Sequence, residues 1–261
     1  EQAMPLLKRS IEFDHYQPLA YSHLARCYLE GGRIFQAYKW SQIATGQLPE
    51  DLYAQITHAL IQYEYGAVEQ AYRRFVKLSE QHPDDGYFFY EMGRCQQALD
   101  QTEKALEHYR LALALDAQQP FAYLRMAELF MENENWQEAQ QIIEKGLENE
   151  QDQDIFHVYL GHIAIEQQDF KTAESAYRRA FELDPKDLFT PVHIAHALYG
   201  QQRNTEALAL LKQGMAQADA GYRLRSADLI LEQSEDPVST GEAMTIIEDG
   251  FELVEGEELL M

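Results

Sequence analysis

Residues 154–187 read DIFHVYLGHIAIEQQDFKTAESAYRRAFELDPKD. Apolar residues recur at helical spacing in two runs, interrupted by Gln167-Gln168-Asp169 and closed by Pro185. Apolar positions three and four apart fall on one face of a helix. A proline cannot continue one. The stretch therefore reads as two antiparallel helices. Small residues, Gly161 on the first run and Ala173 on the second, let the helices approach closely, and the larger Tyr177 fills the space beside them.

Working outward, Ala173 belongs to a ladder with an unbroken 34-residue interval: Ala3, Ala37, Ala71, Ala105, Ala139, Ala173 and Ala207. A fixed period of this length marks one helix pair repeated in a stack, not a domain with a single centre. Blocks beginning at 18, 52, 86, 120, 154 and 188 carry a small eighth residue each time: Ala25, Ala59, Gly93, Ala127, Gly161 and Ala195. Large partners sit at the seventh place (Leu24, His58, Met92, Met126, Leu160, Ile194) and the twenty-fourth (Ser41, Phe75, Tyr109, Ile143, Tyr177, Leu211). Gly31-Gly32 break the first block, and Pro49, Pro83 and Pro185 stop second helices. The fold class is all-α.

The fifth block, with Leu160-Gly161, Phe170, Ala173, Tyr177, Ala180 and Pro185, resembles the tetratricopeptide repeat family. The resemblance covers Glu1 to about Asp219. It implies a right-handed α-solenoid of antiparallel helix pairs in 34-residue repeats, its concave face lined by the first helix of each pair. Block two departs from the pattern at Gln55 and His58, and block four lacks the closing proline. The related pentatricopeptide repeat, which reads RNA, typically runs 35 residues and is disfavoured by the strict interval of 34 and by the acidic charge.

Three regions are expected. Residues 1–17 supply the second helix of a truncated repeat, 18–219 hold six repeats, and 220–261 form a degenerate repeat or capping helices with an acidic tail. In that last region Tyr222–Gln233 reads as a helix, and Ala243 and Ile247 are displaced by two residues from the period. The opening at Glu1, within a helical pattern, points to a fragment of a longer protein.

A net charge of −23 disfavours nucleic acid and anionic lipid as partners, since both are bound through Lys and Arg. No run approaches the ~20 apolar residues of a membrane span. No signal peptide is visible, so a cytoplasmic setting is favoured. Cys27 and Cys95 lie two repeats apart and read as free thiols. No phosphate loop, zinc-protease helix or paired-cysteine motif occurs, so no catalytic residue, cofactor or metal is expected. His162, His193 and His196 are a conceivable metal set, but His193 falls near the core stripe while His196 faces outward.

The expected function is capture of another protein. On the first helix, the second, fifth, ninth and twelfth residues form a stripe about 130° from the core stripe. A purely structural helix would be polar there. Instead the second residues are Leu19, Tyr53, Tyr87, Phe121, Ile155 and Phe189, and the fifth are Ser22, Ile56, Tyr90, Leu124, Val158 and Val192. The ninth include Arg26, Leu60, Arg94, His162 and His196, and the twelfth include Tyr63, Met131 and Tyr199. So extensive an apolar, aromatic strip exceeds what a soluble surface normally exposes. The candidate groove is Tyr53, Ile56, Leu60, Tyr63, Tyr87, Tyr90, Arg94, Phe121, Leu124, Met131, Ile155, Val158, His162, Val192, His196 and Tyr199.

Glu30, Glu64, Glu132 and Glu166 at the thirteenth place favour a segment with apolar anchors and some Lys or Arg, whether a peptide or an amphipathic helix. The Lys/Asn/Arg clamp by which some family members grip chaperone tails is missing, with Ser22/Arg26, Ile56/Leu60 and Tyr90/Arg94 at its places, so no chaperone C-terminal tail is expected. The alternative is an interior scaffold or sensor segment whose groove or ends serve intramolecular or self-association.

Overall fold

The computed structural model describes residues 3–13, 18–149, 153–187, 189–215, 225–226 and 228–230. The described residues form helices joined by short turns. These are α1 (Ala3–Phe13), α2 (Pro18–Glu30), α3 (Ile34–Gln47), α4 (Leu52–Glu64), α5 (Val68–Gln81), α6 (Gly86–Ala98), α7 (Thr102–Leu115), α8 (Pro120–Glu132), α9 (Trp136–Asn149), α10 (Asp154–Glu166), α11 (Phe170–Leu183), α12 (Thr190–Gly200) and α13 (Asn204–Met215). Residues 225–226 and 228–230 are also helical. Ala243, Ile247 and the acidic tail lie outside the described residues.

The chain divides into two compact units, Glu1–Ala122 and Tyr123–Met261. In the first, consecutive helices from α1 to α7 pack on one another, and α2 also touches α4. In the second, α9 to α13 do the same, and α10 touches α12. First helices of successive pairs thus meet as well as the two helices of each pair, which is the packing of an α-solenoid.

The turn inside each pair repeats to the residue. Gly32, Gly66, Asp100, Glu134, Gln168 and Gln202 all have positive φ, between 56° and 88°. The next amide reaches back five residues each time: Arg33 to Tyr28, Ala67 to Gln62, Gln101 to Gln96, Asn135 to Phe130, Asp169 to Ala164 and Arg203 to Leu198. This is the left-handed, six-to-one hydrogen-bonded helix end that satisfies otherwise orphaned carbonyls. Glycine fills the left-handed position twice, and four larger residues adopt it under the same geometry. Asp51 and Asp85, one period apart, cap α4 and α6 by accepting from the amides of Ala54 and Tyr87.

Packing follows the small positions. Ala37, Ala71, Ala105, Ala139, Ala173 and Ala207 are fully buried, whereas Ala3, at the start of α1, is exposed. A Cβ on Gly161 would lie 2.3 Å from the Tyr177 ring, and one on Gly93 would lie 2.6 Å from that of Tyr109. The absent side chain makes room for the aromatic of the second helix.

Block two's departures are satisfied. His58 is buried, and its Nδ1 lies 2.8 Å from Ser41 Oγ. The Ser41 hydroxyl already donates to the Tyr38 carbonyl at 2.8 Å, so the imidazole Nδ1–H donates to Ser41. Burial, with Arg74 nearby, pushes the His58 pKa down to about 4. Gln55 accepts from Arg74 and donates to the Pro49 carbonyl at 2.5 Å. Cys27 and Cys95 are free thiols, and burial pushes that of Cys95 up to about 12.

Candidate partner-binding face

In the first unit the stripe residues of α2, α4 and α6 are drawn together by polar and aromatic contacts. The Tyr53 ring lies 5.0 Å from that of His23, and its hydroxyl is 3.2 Å from His23 Nδ1, tying α4 to α2. The Arg94 guanidinium sits 4.5 Å from the Tyr63 ring centre and 3.7 Å from Glu64, tying α6 to α4. Ile56, Leu60, Tyr63 and Tyr87 are half-buried against a core of Ala59, Phe75, Phe88 and Met92. Tyr90 packs at 5.8 Å on Tyr109, whose hydroxyl donates to Gln97 at 2.8 Å.

The sequence reading missed the anchor of this network. Glu91, at a sixth position, is buried, accepts from Arg94 at 3.0 Å and bonds to the Tyr87 hydroxyl. Burial raises its pKa above the usual carboxylate range, while Arg94 and Tyr87 pull the other way. Burial, and then the Glu91 charge, raise that of Tyr87. The Arg94 charge is therefore spent inside the chain, on Glu91 and Glu64. Arg26 pairs with Glu30 at 3.3 Å within α2 and is more open. A single acid at a sixth position carries no repeat signal, so periodicity does not expose it.

Exposure varies along the stripe. Leu19 is 51% exposed and Phe121 65%, both at second positions, with Tyr53 and Tyr87 half-buried. At fifth positions, Leu124 and Val192 keep only 7% and Ser22 is fully buried. This corrects two assignments: Leu124 and Val192 belong to the packed interior and cannot present a contact surface. Angle is part of the cause, although Ile56, Tyr90 and Val158 at the same position stay half-buried. With about 100° per residue, the second position lies some 170° from the centre of the core stripe and the fifth only about 110°.

In the second unit Ile155, Val158, Met131, His196 and Tyr199 are half-buried, Val158 and Tyr199 against the cluster that includes Tyr177, Ile194 and Leu198. His162 is half-buried as well and packs against aromatic rings. Its ring lies 4.8 Å from that of His193 and 5.7 Å from Tyr177, and Tyr177 stacks on His193 at 5.2 Å. The first of these ring contacts joins His162 to His193 of α12. Burial, and then the neighbouring His162, push the His193 pKa down to about 4; burial, and then His196, lower that of His162. Among the described residues no group of three or more His, Cys, Asp or Glu could hold a metal ion. Phe189 precedes α12, with the Arg225 guanidinium 5.1 Å from its ring centre.

A concavity of about 730 Å³ lies elsewhere in this unit, among α9, α10 and α11, lined by Gln140, His157, Leu160, Ala164, Thr172 and Arg179 among others. None of the stripe residues lines it. Among the described residues no helix is long and apolar enough to cross a membrane.

Stacked helix pairs with a fixed turn and a small-against-large interior define an α-solenoid repeat protein. Models of the tetratricopeptide repeat match residues 97–157 and 158–187. Residues 97–187 therefore carry tetratricopeptide repeats, the repeat of protein–protein interaction modules. No curated protein matches it.

Solved structures share the fold. Yeast Tom70 superposes with a TM-score of 0.71 at 18% identity, over 95% of this chain and 54% of that one. TTC0263, a thermophilic tetratricopeptide-repeat protein of Thermus thermophilus, gives 0.56 at 20% identity, over 69% and 98%. YrrB, described as having an unusual peptide-binding site, gives 0.52 at 20% identity, over 70% and 97%.

Proposed function

We propose that the first-helix face of the N-terminal unit captures an apolar, basic-amphipathic segment of another protein. Tyr53, Tyr87, Tyr90 and Phe121 are its central contacts, with Ile56, Leu60 and Tyr63 as half-buried support. In the second unit Met131, Ile155, Val158, His196 and Tyr199 are the corresponding candidates.

The observation that carries this reading is the second-position series Leu19, Tyr53, Tyr87 and Phe121. All four are large and apolar on the side of the helix turned furthest from the core, and all are exposed or half-buried. Tyr and Phe are enriched at protein interfaces, where they bring large area at low entropic loss. Glu30 and Glu64 on the same helices are exposed, and the chain carries −23 overall, so Lys or Arg beside the apolar anchors would be steered in and oriented. The fold of YrrB, a protein described as having a peptide-binding site, is compatible with this use.

Peptides selected from a random display library against the 261-residue chain test the reading. Changing Tyr53, Tyr87, Tyr90 and Phe121 together to Ala should weaken the selected peptides at least tenfold, about 1.4 kcal/mol or more. Unchanged affinity in a variant whose circular dichroism and Tm match the parent would remove the face assignment.

A further inference from the structure

The half-buried arginines differ in what neutralises them. Arg94 pairs with Glu91 and Glu64, Arg125 with Glu128, and Arg203 with Glu174 and Glu206. Among the described residues, Arg74 on α5 pairs with no carboxylate. Its Nε donates to Gln62 Oε1 at 3.2 Å, and a terminal nitrogen donates to Gln55 Oε1. Both amides are fixed with their oxygens toward it, because the Gln62 nitrogen donates to Gln70 at 3.2 Å and that of Gln55 to the Pro49 carbonyl. These contacts orient the guanidinium without neutralising it.

The chain holds 44 acidic residues against 21 basic ones, yet places none of the described acids against this cation. A guanidinium drawn partly out of water is destabilised unless a negative charge meets it. The effect reaches its neighbours. Arg74 helps to hold buried His58 neutral, and desolvation lowers the Arg74 pKa itself, whereas the carboxylates around Arg94 and Arg203 raise theirs.

Arg74 also lines a pocket. It lies between the α3–α4 turn and the C-terminal half of α5, bounded by Pro49, Leu52, Gln55, Leu78 and Gln81, with Lys77 and His82 as further basic groups. Glu50 is its acidic member, is exposed, and makes no ion pair with Arg74 or Lys77. The free volume is about 40 Å³. A single water needs roughly 10–15 Å³ by this measure, so the space suits a group of about three heavy atoms. A carboxylate has that size, and its two oxygens match the planar guanidinium fork.

We propose that this pocket is a carboxylate-binding site, with Arg74 as the anchoring cation and Lys77 and His82 on its rim. It contains none of the stripe residues, so it stands apart from the proposed partner-binding face. Its ligand is the acid group of an acidic side chain, a chain terminus or a small free carboxylate.

The arginine Nε–H resonances of the full chain test this, with that of Arg74 assigned by its disappearance in Arg74→Lys. Sodium acetate, titrated at constant ionic strength against chloride, should move the Arg74 resonance along a saturating curve. Acetamide, of the same shape but neutral, should not. N-acetyl-glutamate amide and N-acetyl-alanine then separate a side-chain acid from a chain terminus by which of them shifts it at lower concentration. A second readout is thermal: Arg74→Gln should leave Tm unchanged or raised in carboxylate-free buffer, and should abolish any rise in Tm caused by acetate. If acetate and acetamide act alike on Arg74, or every arginine drifts linearly together, the site does not exist. If Arg74→Gln lowers Tm and acetate leaves Nε–H unmoved, the guanidinium is a structural tie between α4 and α5, and the proposal falls.

Discussion

Ser41 and His58 occupy the places that Ile143 and Leu160 hold three periods later. The first pair is a buried hydrogen bond of 2.8 Å. In the second pair both side chains are apolar; Ile143 is fully buried, and Leu160 reaches the concavity among α9, α10 and α11. The helices at both places have the same lengths, and α4 and α10 both end in a left-handed residue, Gly66 and Gln168, followed by a back-reaching amide. Large positions can therefore change chemistry if they change together. The small positions and the turns are what the backbone requires.

The strongest way to break this equivalence is to fill a small position. Gly161→Val would place its Cβ within 2.3 Å of the Tyr177 ring and add two methyls beyond it. Overpacking of this kind should destabilise by about 3 kcal/mol or more, read as a fall in the urea midpoint.

Acid should separate the two places next. The His58 pKa is lowered from 6.5 to about 4, so the folded state holds fewer protons than the unfolded chain between those values. Its contribution to stability is full above pH 6.5 and is lost as pH falls toward 4, on the order of 2–3 kcal/mol. His58→Met, matching Met92 and Met126, should flatten that limb in urea melts taken from pH 7 to 4. The remaining slope would include His193, which is shifted the same way.

A transplant sharpens the comparison. Ser41→Ile with His58→Leu copies the Ile143–Leu160 pair, and the double variant should be more stable than the sum of its single changes predicts. The coupling should be about 1 kcal/mol, measured by a double-mutant cycle. Additive behaviour would mean that the two places are independent.

The smallest effect belongs to the turns. Glu134 adopts φ 57° where Gly32 and Gly66 stand three and two periods earlier. Glu134→Gly should stabilise by about 0.5–1 kcal/mol, a Tm rise of a few degrees.

Much of this was legible in the sequence. The alanine ladder and the small eighth residues set the helix pairs and their register, because close helix approach leaves so few residue types acceptable there. Gln168 is legible as a break in the apolar pattern, whereas Asp100, Glu134 and Gln202 carry no turn signature of their own; only their spacing from Gly32 and Gly66 reveals them. The stripe was legible as apolar but not as surface. Leu124 and Tyr90 share the fifth position, yet one is buried and the other half-buried, because burial depends on the neighbours each side chain meets and not on the period alone. Glu91 and the His162–His193 ring contact depend on which neighbour a side chain meets, which the sequence alone does not state.

The six turns have a consequence for how such a chain can change in length. Each fixes a single left-handed residue between two helices, with a backbone bond spanning five positions. One inserted residue would swing the following helix by about 100° and carry it forward about 1.5 Å, taking its alanine off the seam. Single-residue insertions and deletions inside a block should therefore be far less tolerated than gain or loss of a whole 34-residue block, which leaves every remaining seam aligned.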